Sequence, residues 1–129
     1  MSVGPGATMS ASGTTSVSAN DFTVQVSGGV PGQLGLFYYG AEELALPFGD
    51  GLRCVGAGSL GTFRLNPPQA MDGQGASARL VDFTAPPASI GPGAILPGST
   101  WKFQHWYRDP AAGGAGFNLS DGLSATFCP

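Results

Sequence analysis

What this chain of 129 residues has least of is charge: five basic and eight acidic side chains, one histidine and a net charge of -3. So few cations argue against nucleic acid as a partner, because binding it normally needs a basic stripe that displaces counterions from the phosphates. Attachment to an anionic membrane is disfavoured for the same reason. No apolar run approaches the length of a membrane-spanning helix, and residues 1–20 lack the basic start and apolar stretch of a secretory signal. Cysteine is scarce too, with only Cys54 and Cys128. An even count without another redox motif suggests a disulfide, which closes a loop of about 75 residues and contributes roughly 4 kcal/mol in the chain-entropy treatment. Two buried free thiols are the alternative. A bridge would imply maturation in an oxidising compartment.

A catalytic constellation is also missing. His105 is the only histidine, and a catalytic imidazole needs an activated nucleophile or a metal with partner ligands. Neither is offered, so His105 is expected to be structural, with no catalytic residue, metal site or cofactor assigned. Three Asp-Gly pairs, at Asp50, Asp72 and Asp121, raise the question of calcium. They are dispersed, and Asp-Gly is a common turn pair, so they are read as turns.

What the chain does contain is 22 glycines and 11 prolines together with eight Phe, three Tyr and two Trp. Aromatics recurring at alternating positions are core-forming, so the glycines and prolines mark tight turns between short strands rather than disorder. The expectation is an all-β fold, an antiparallel β-sandwich of about seven to eight strands of the Ig-like or jelly-roll-like kind, in a single domain over 21–129. Residues 1–20 are expected to be a flexible N-terminal arm or an edge strand.

The stretch GSTWKFQHWYRDP, Gly98–Pro110, reads as the central strand. Its two-residue period puts Trp101, Phe103, His105 and Tyr107 on an inner face, and Lys102, Gln104, Trp106 and Arg108 on an outer one. FTVQV turns Phe22, Val24 and Val26 inward. LGLFYYG, Leu34–Gly40, is apolar on both faces, as for a strand covered on both sides or one that bears an interface. Ala41–Leu46 is expected to be loop with at most one helical turn, stopped by Pro47. Short strands are expected at Arg53–Val55, Gly61–Leu65 and Ala76–Phe83, with NPPQAMDGQG as a connection. A long proline-rich loop should fold Ile90, Ile95 and Leu96 over one end, and GLSATFC closes the sheet with Leu123, Ala125 and Phe127 inward. Asp109 is placed to cap the turn after Arg108, with a salt bridge to Arg108 or Arg53 as the alternative, and Asn118-Leu119-Ser120 matches the short N-glycosylation triplet.

Four phrases occur together: NDFTVQVSGGVPGQLGLFYYG, LPFGDGLRCVG, GSTWKFQHWYRDP and FNLSDGLSATFCP. In this combination the chain resembles a module, without an assigned activity, that forms the C-terminal end of large secreted or surface proteins of environmental bacteria. The resemblance spans Asn20 to Pro129 and implies an extracellular β-rich module in which Cys54 and Cys128 pair. It carries over no catalytic residue.

Two functions follow as expectations. The first is a non-catalytic extracellular or cell-surface module with a structural role in an appendage, fibre or matrix, its partners being copies of itself. The second is a recognition module for carbohydrate or other surface proteins. Phe37, Tyr38, Tyr39 and Trp106 are the candidate ligand or interface residues, since exposed aromatics beside polar groups stack on sugar rings or anchor proteins. Cover by the proline-rich loop or by Arg108 is the alternative for Trp106.

Overall fold

Alternation along Thr100–Arg108 decides where the core sits. Trp101, Phe103, His105 and Tyr107 are buried on one side of this strand, whereas Lys102, Trp106 and Arg108 on the other side keep solvent contact. The computed structural model describes residues 7–48, 51–56, 62–108 and 117–129, with backbone alone for 42–48, 51–56 and 66–67. Among them run β1 (Thr8–Ser12), β2 (Thr23–Ser27), β3 (Leu34–Gly40), β4 (Glu42–Phe48), β5 (Gly51–Gly56), β6 (Thr62–Ala70), β7 (Ser77–Leu80), β8 (Thr100–Arg108), β9 (Phe117–Leu119) and β10 (Leu123–Thr126).

The strands pair antiparallel throughout. One sheet has the order β1-β2-β7 and the other β10-β8-β3-β6, with β9 continuing the β10 edge along the second half of β8. β4 and β5 form a separate ribbon. The first two sheets face each other as the expected β-sandwich. Val24 and Val26 of β2 and Phe22 just before it meet Phe103, Tyr39, Trp101 and Phe127 in one hydrophobic cluster. Its rings are tilted or edge-on: Phe22 lies 5.6 Å from Phe103 and 5.1 Å from Phe127, and Tyr39 lies 5.3 Å from Trp101. Such arrangements set the positive edge of one ring against the negative face of the next.

Ten strands exceed the expected seven to eight because β4 and β9 form where loop was expected. Glu42–Phe48 pairs with β5 instead of making a helical turn, and Pro47 is tolerated because each strand of a two-stranded ribbon has one unpaired side. Likewise, β6 runs through Asn66-Pro67-Pro68, expected as a connection, to Ala70. It is the edge of its sheet, and the prolines fall where its pairing with β3 shifts register, the two places where a missing N–H costs least.

The loop between β7 and β8 docks through fewer side chains than expected. Ile95 and Ala88 are buried, whereas Ile90 and Leu96 are exposed. The Tyr39 hydroxyl donates to the Gly93 carbonyl at 2.7 Å, and a Cβ at Gly93 would press on the Phe63 ring, so the loop backbone lies directly on the core.

Cys128 is a free, exposed thiol, so the expected Cys54–Cys128 disulfide is not formed. The C-terminus is held by main-chain bonds instead. Cys128 N–H donates to the Thr15 carbonyl at 3.0 Å, Val17 N–H to the Cys128 carbonyl at 2.8 Å, and the Ser16 hydroxyl to the Pro129 carbonyl at 3.0 Å. Asn20 secures the same strap to the far loop: its Oδ1 accepts the Phe83 N–H at 2.9 Å and its Nδ2 donates to Asp82 at 3.2 Å. The fraying that a disulfide would prevent is already opposed by these bonds.

Two outcomes follow. Replacing Phe103, which is fully buried, by alanine should cost about 3–5 kcal/mol in a urea unfolding curve; a loss under about 1 kcal/mol would contradict the core assignment. Alkylation of the native protein under non-reducing conditions should label Cys128, and protection of that thiol until reductant is added would contradict the free-thiol state.

Candidate functional site

The apolar run on β3 divides cleanly between the two faces of its sheet. Phe37 and Tyr39 point inward and are buried, while Leu34, Leu36 and Tyr38 point outward. Of the four candidate residues, the structure therefore brings Tyr38 and Trp106 together on the outer face and commits Phe37 and Tyr39 to the core. The register sets the outer residues in rows across the strands. Leu36 stands beside Trp106 and Trp106 beside Leu119, and in the next row Arg64 flanks Tyr38 and Tyr38 flanks Gln104. Together with Leu34, Pro68, Arg108 and Phe117 they line a shallow groove of about 640 Å³.

The groove floor is braced from the side. The Tyr38 hydroxyl donates to Gln104 Oε1 at 2.6 Å, and Gln104 Nε2 donates to the Ser120 carbonyl at 2.6 Å. Gln104 is fully buried although it faces outward, so the ring of Tyr38 is anchored by a desolvated amide. Trp106 packs against Phe117, the ring centroids 5.7 Å apart at 36°. Both rings are half-buried, with apolar surface still open to the groove.

Sequence reasoning missed Arg64, Phe117 and Leu119 as members of this surface. The signal was present in FNL: three residues with an apolar first and last position continue the two-residue period after a glycine-rich stretch. Its brevity hid it. Ser120 extends that pairing, accepting the His105 N–H on its hydroxyl at 2.9 Å and donating its own N–H to the His105 carbonyl at 2.9 Å.

His105 lies away from the groove, on the inner face. Its ring sits 4.5 Å from Phe37 and stacks on Tyr107 at 5.9 Å, in space left by Gly35, where a Cβ would collide with the imidazole. Nδ1 is buried without a hydrogen-bond partner. Burial alone pushes the imidazole down to about 4, since desolvation disfavours the cation. The packing expected of a structural histidine is there, whereas the hydrogen bond expected with it is missing at Nδ1.

The carboxylates serve the backbone. Asp72 accepts N–H bonds from Gln74 and Ala76 at 2.8 and 3.0 Å in its own turn, and Asp121 accepts the Met9 N–H at 2.6 Å, fastening β1 to the β9–β10 turn. Among the described residues no three His, Cys, Asp or Glu side chains converge as metal ligands; Asp50 and Asp109 lie outside the described residues. Asn118 of the glycosylation triplet is buried, its Oδ1 accepting the Leu119 N–H at 2.9 Å, which leaves no room for a glycan. Compared with known proteins, the chain matches no family model, no curated protein and no solved structure.

The buried imidazole makes stability depend on pH. An unfolded histidine titrates near 6.5 and the folded one near 4, so the unfolded state binds more protons between these values. Stability is then complete above pH 6.5 and falls as pH drops toward 4, by at most about 3 kcal/mol. Asp21, Asp72 and Asp82, held below the usual carboxylate range by hydrogen bonds from Thr14, Ala76 and Thr84 respectively, add their losses only at lower pH. Urea curves from pH 7 to 4 should show this slope in the wild type and a flatter one in His105→Phe; equal slopes would contradict it.

Proposed function

We propose that this chain is a non-catalytic recognition module of the cell exterior that binds saccharide on the outer face of its larger sheet. The observation that carries the reading is the pairing of Trp106 and Tyr38 on one groove floor, with Phe117 beside Trp106 and the Tyr38 hydroxyl anchored on Gln104. Half-buried rings lining a solvent-open groove are what a sugar needs, since its axial C–H bonds stack on a ring while its hydroxyls reach the polar rim. The placement outside the cell is supported by the scarcity of charge and by the resemblance noted above. The non-catalytic reading is supported by the position of the sole histidine, packed between Phe37 and Tyr107 and turned away from the groove.

A structural role by self-association is the second reading, favoured by the position of β7 at the edge of the smaller sheet, with no further strand paired to it among the described residues, where a strand from another copy can add. β6 is ill suited to that role because of its prolines.

The test is a titration of a panel of neutral and acidic oligosaccharides, followed by tryptophan fluorescence. Wild type should bind at least one of them, and Trp106→Ala and Tyr38→Ala should each lose tenfold or more in affinity while keeping the wild-type circular dichroism spectrum. Absence of any saccharide binding, together with concentration-dependent oligomers in light scattering, would replace recognition by assembly.

A further inference from the structure

Among the described side chains most of the cations collect on one face, which the net charge conceals. The chain carries five cations and a net charge of -3, yet Arg64, Lys102 and Arg108 all rise from the outer face of the larger sheet, since each shares the outward parity of Tyr38 or Trp106 in the register. Among the described side chains no carboxylate joins Arg64 or Arg108. Asp21, Asp72, Asp82 and Asp121 are occupied by Thr14, by the Gln74–Ala76 turn, by Asn20 with Thr84, and by the Met9 N–H. Nor is a salt bridge to Arg64 or Arg108 formed among the described residues, and both side chains are exposed.

The two guanidinium groups bracket the aromatic floor. Arg64 lies in the row of Tyr38, and Arg108 lies beside Phe117 in the row of Leu34. They are therefore two strands and four residues apart, roughly 16 Å by sheet spacing. That span exceeds one sugar ring, so a ligand touching both cations is an oligomer. Guanidinium groups at the ends of a low-dielectric apolar floor favour planar anionic groups, to which they donate paired hydrogen bonds.

We propose that the groove selects an acidic polysaccharide, with Arg64 and Arg108 holding ring carboxylates or sulfates on either side of the Trp106 and Tyr38 floor. This rests on the reading of the outer face as a saccharide platform. The favoured anion is a polysaccharide and not a nucleic acid, because an acidic chain offering Arg64 and Arg108 on this face lacks the basic stripe that a phosphate backbone requires.

The test uses the whole chain and defined polymers: polygalacturonate, the same polymer fully methyl-esterified, a sulfated galactan and a thymidine oligonucleotide. Polygalacturonate or the sulfated galactan should bind, with affinity falling as salt rises, and the esterified polymer should bind at least tenfold more weakly. Which of the two anionic polymers binds tells carboxylate from sulfate. Arg64→Gln and Arg108→Gln should each lose about tenfold for the acidic polymer, a larger factor than for neutral sugar, with melting temperatures unchanged; Arg79→Gln, on the smaller sheet, should bind as wild type. Binding of neither anionic polymer more tightly than the ester, or intact binding by both groove arginine variants, would overturn the charge selection while leaving the platform standing. Binding to no polysaccharide would remove both, and tighter binding to the oligonucleotide would replace the polysaccharide by nucleic acid.

Discussion

Burial of the aromatic row on β8 against β2 and Phe127 is the constraint on which the other features rest. Phe103 is fully enclosed and lies within ring contact of Phe22, Tyr39 and Phe127, so it joins both sheets and the C-terminal segment in a single cluster. A strand buried on one face has no freedom of register, because a slip of one residue would move Phe103 and Tyr107 into solvent and Lys102 and Arg108 into the core. The alternation that protects the interior thereby also determines what appears outside.

The outer face inherits rigidity from that arrangement. Trp106 and Arg108 alternate with core residues on β8, and Leu36 and Tyr38 with Phe37 and Tyr39 on β3. None of these outward side chains can shift along its strand without dismantling the interior. The Tyr38–Gln104–Ser120 hydrogen bonds then remove most of the remaining freedom of the Tyr38 ring. A platform ordered before the ligand arrives loses less entropy on binding, which is why this face, rather than the polar edge β1, carries the functional reading.

How much of this was legible beforehand depended on the range of the interactions involved. The two faces of β8, the inward Phe22, Val24 and Val26, and the turn role of Asp72 follow from period and local hydrogen bonding, which a sequence displays directly. The partition of Phe37, Tyr38 and Tyr39 required a register, since a strand apolar on both faces does not reveal its inner side. β9 and the second half of β6 were hidden because pairing with a strand distant in sequence decided them, over Pro67 and Pro68 in β6, and β4 because pairing with the adjacent β5 overrode Pro47. The state of Cys128 was hidden for a related reason: the even count of cysteines is a weak signal, while the bonds of Thr15, Ser16 and Val17 to the C-terminus join residues more than a hundred positions apart. Arg64 and Arg108 are unremarkable in sequence and become neighbours of one groove only when β6, β3 and β8 are laid side by side.

The most direct measurement is a backbone amide chemical-shift titration of the labelled protein with a short oligogalacturonate. The account predicts saturable shifts along Leu34–Tyr38, at Arg64, at Trp106 and Arg108, and at Phe117 and Leu119, with β1, β2 and β7 undisturbed. Shifts confined to β1, β7 or the proline-rich loop, with the outer face of the larger sheet silent, would contradict it.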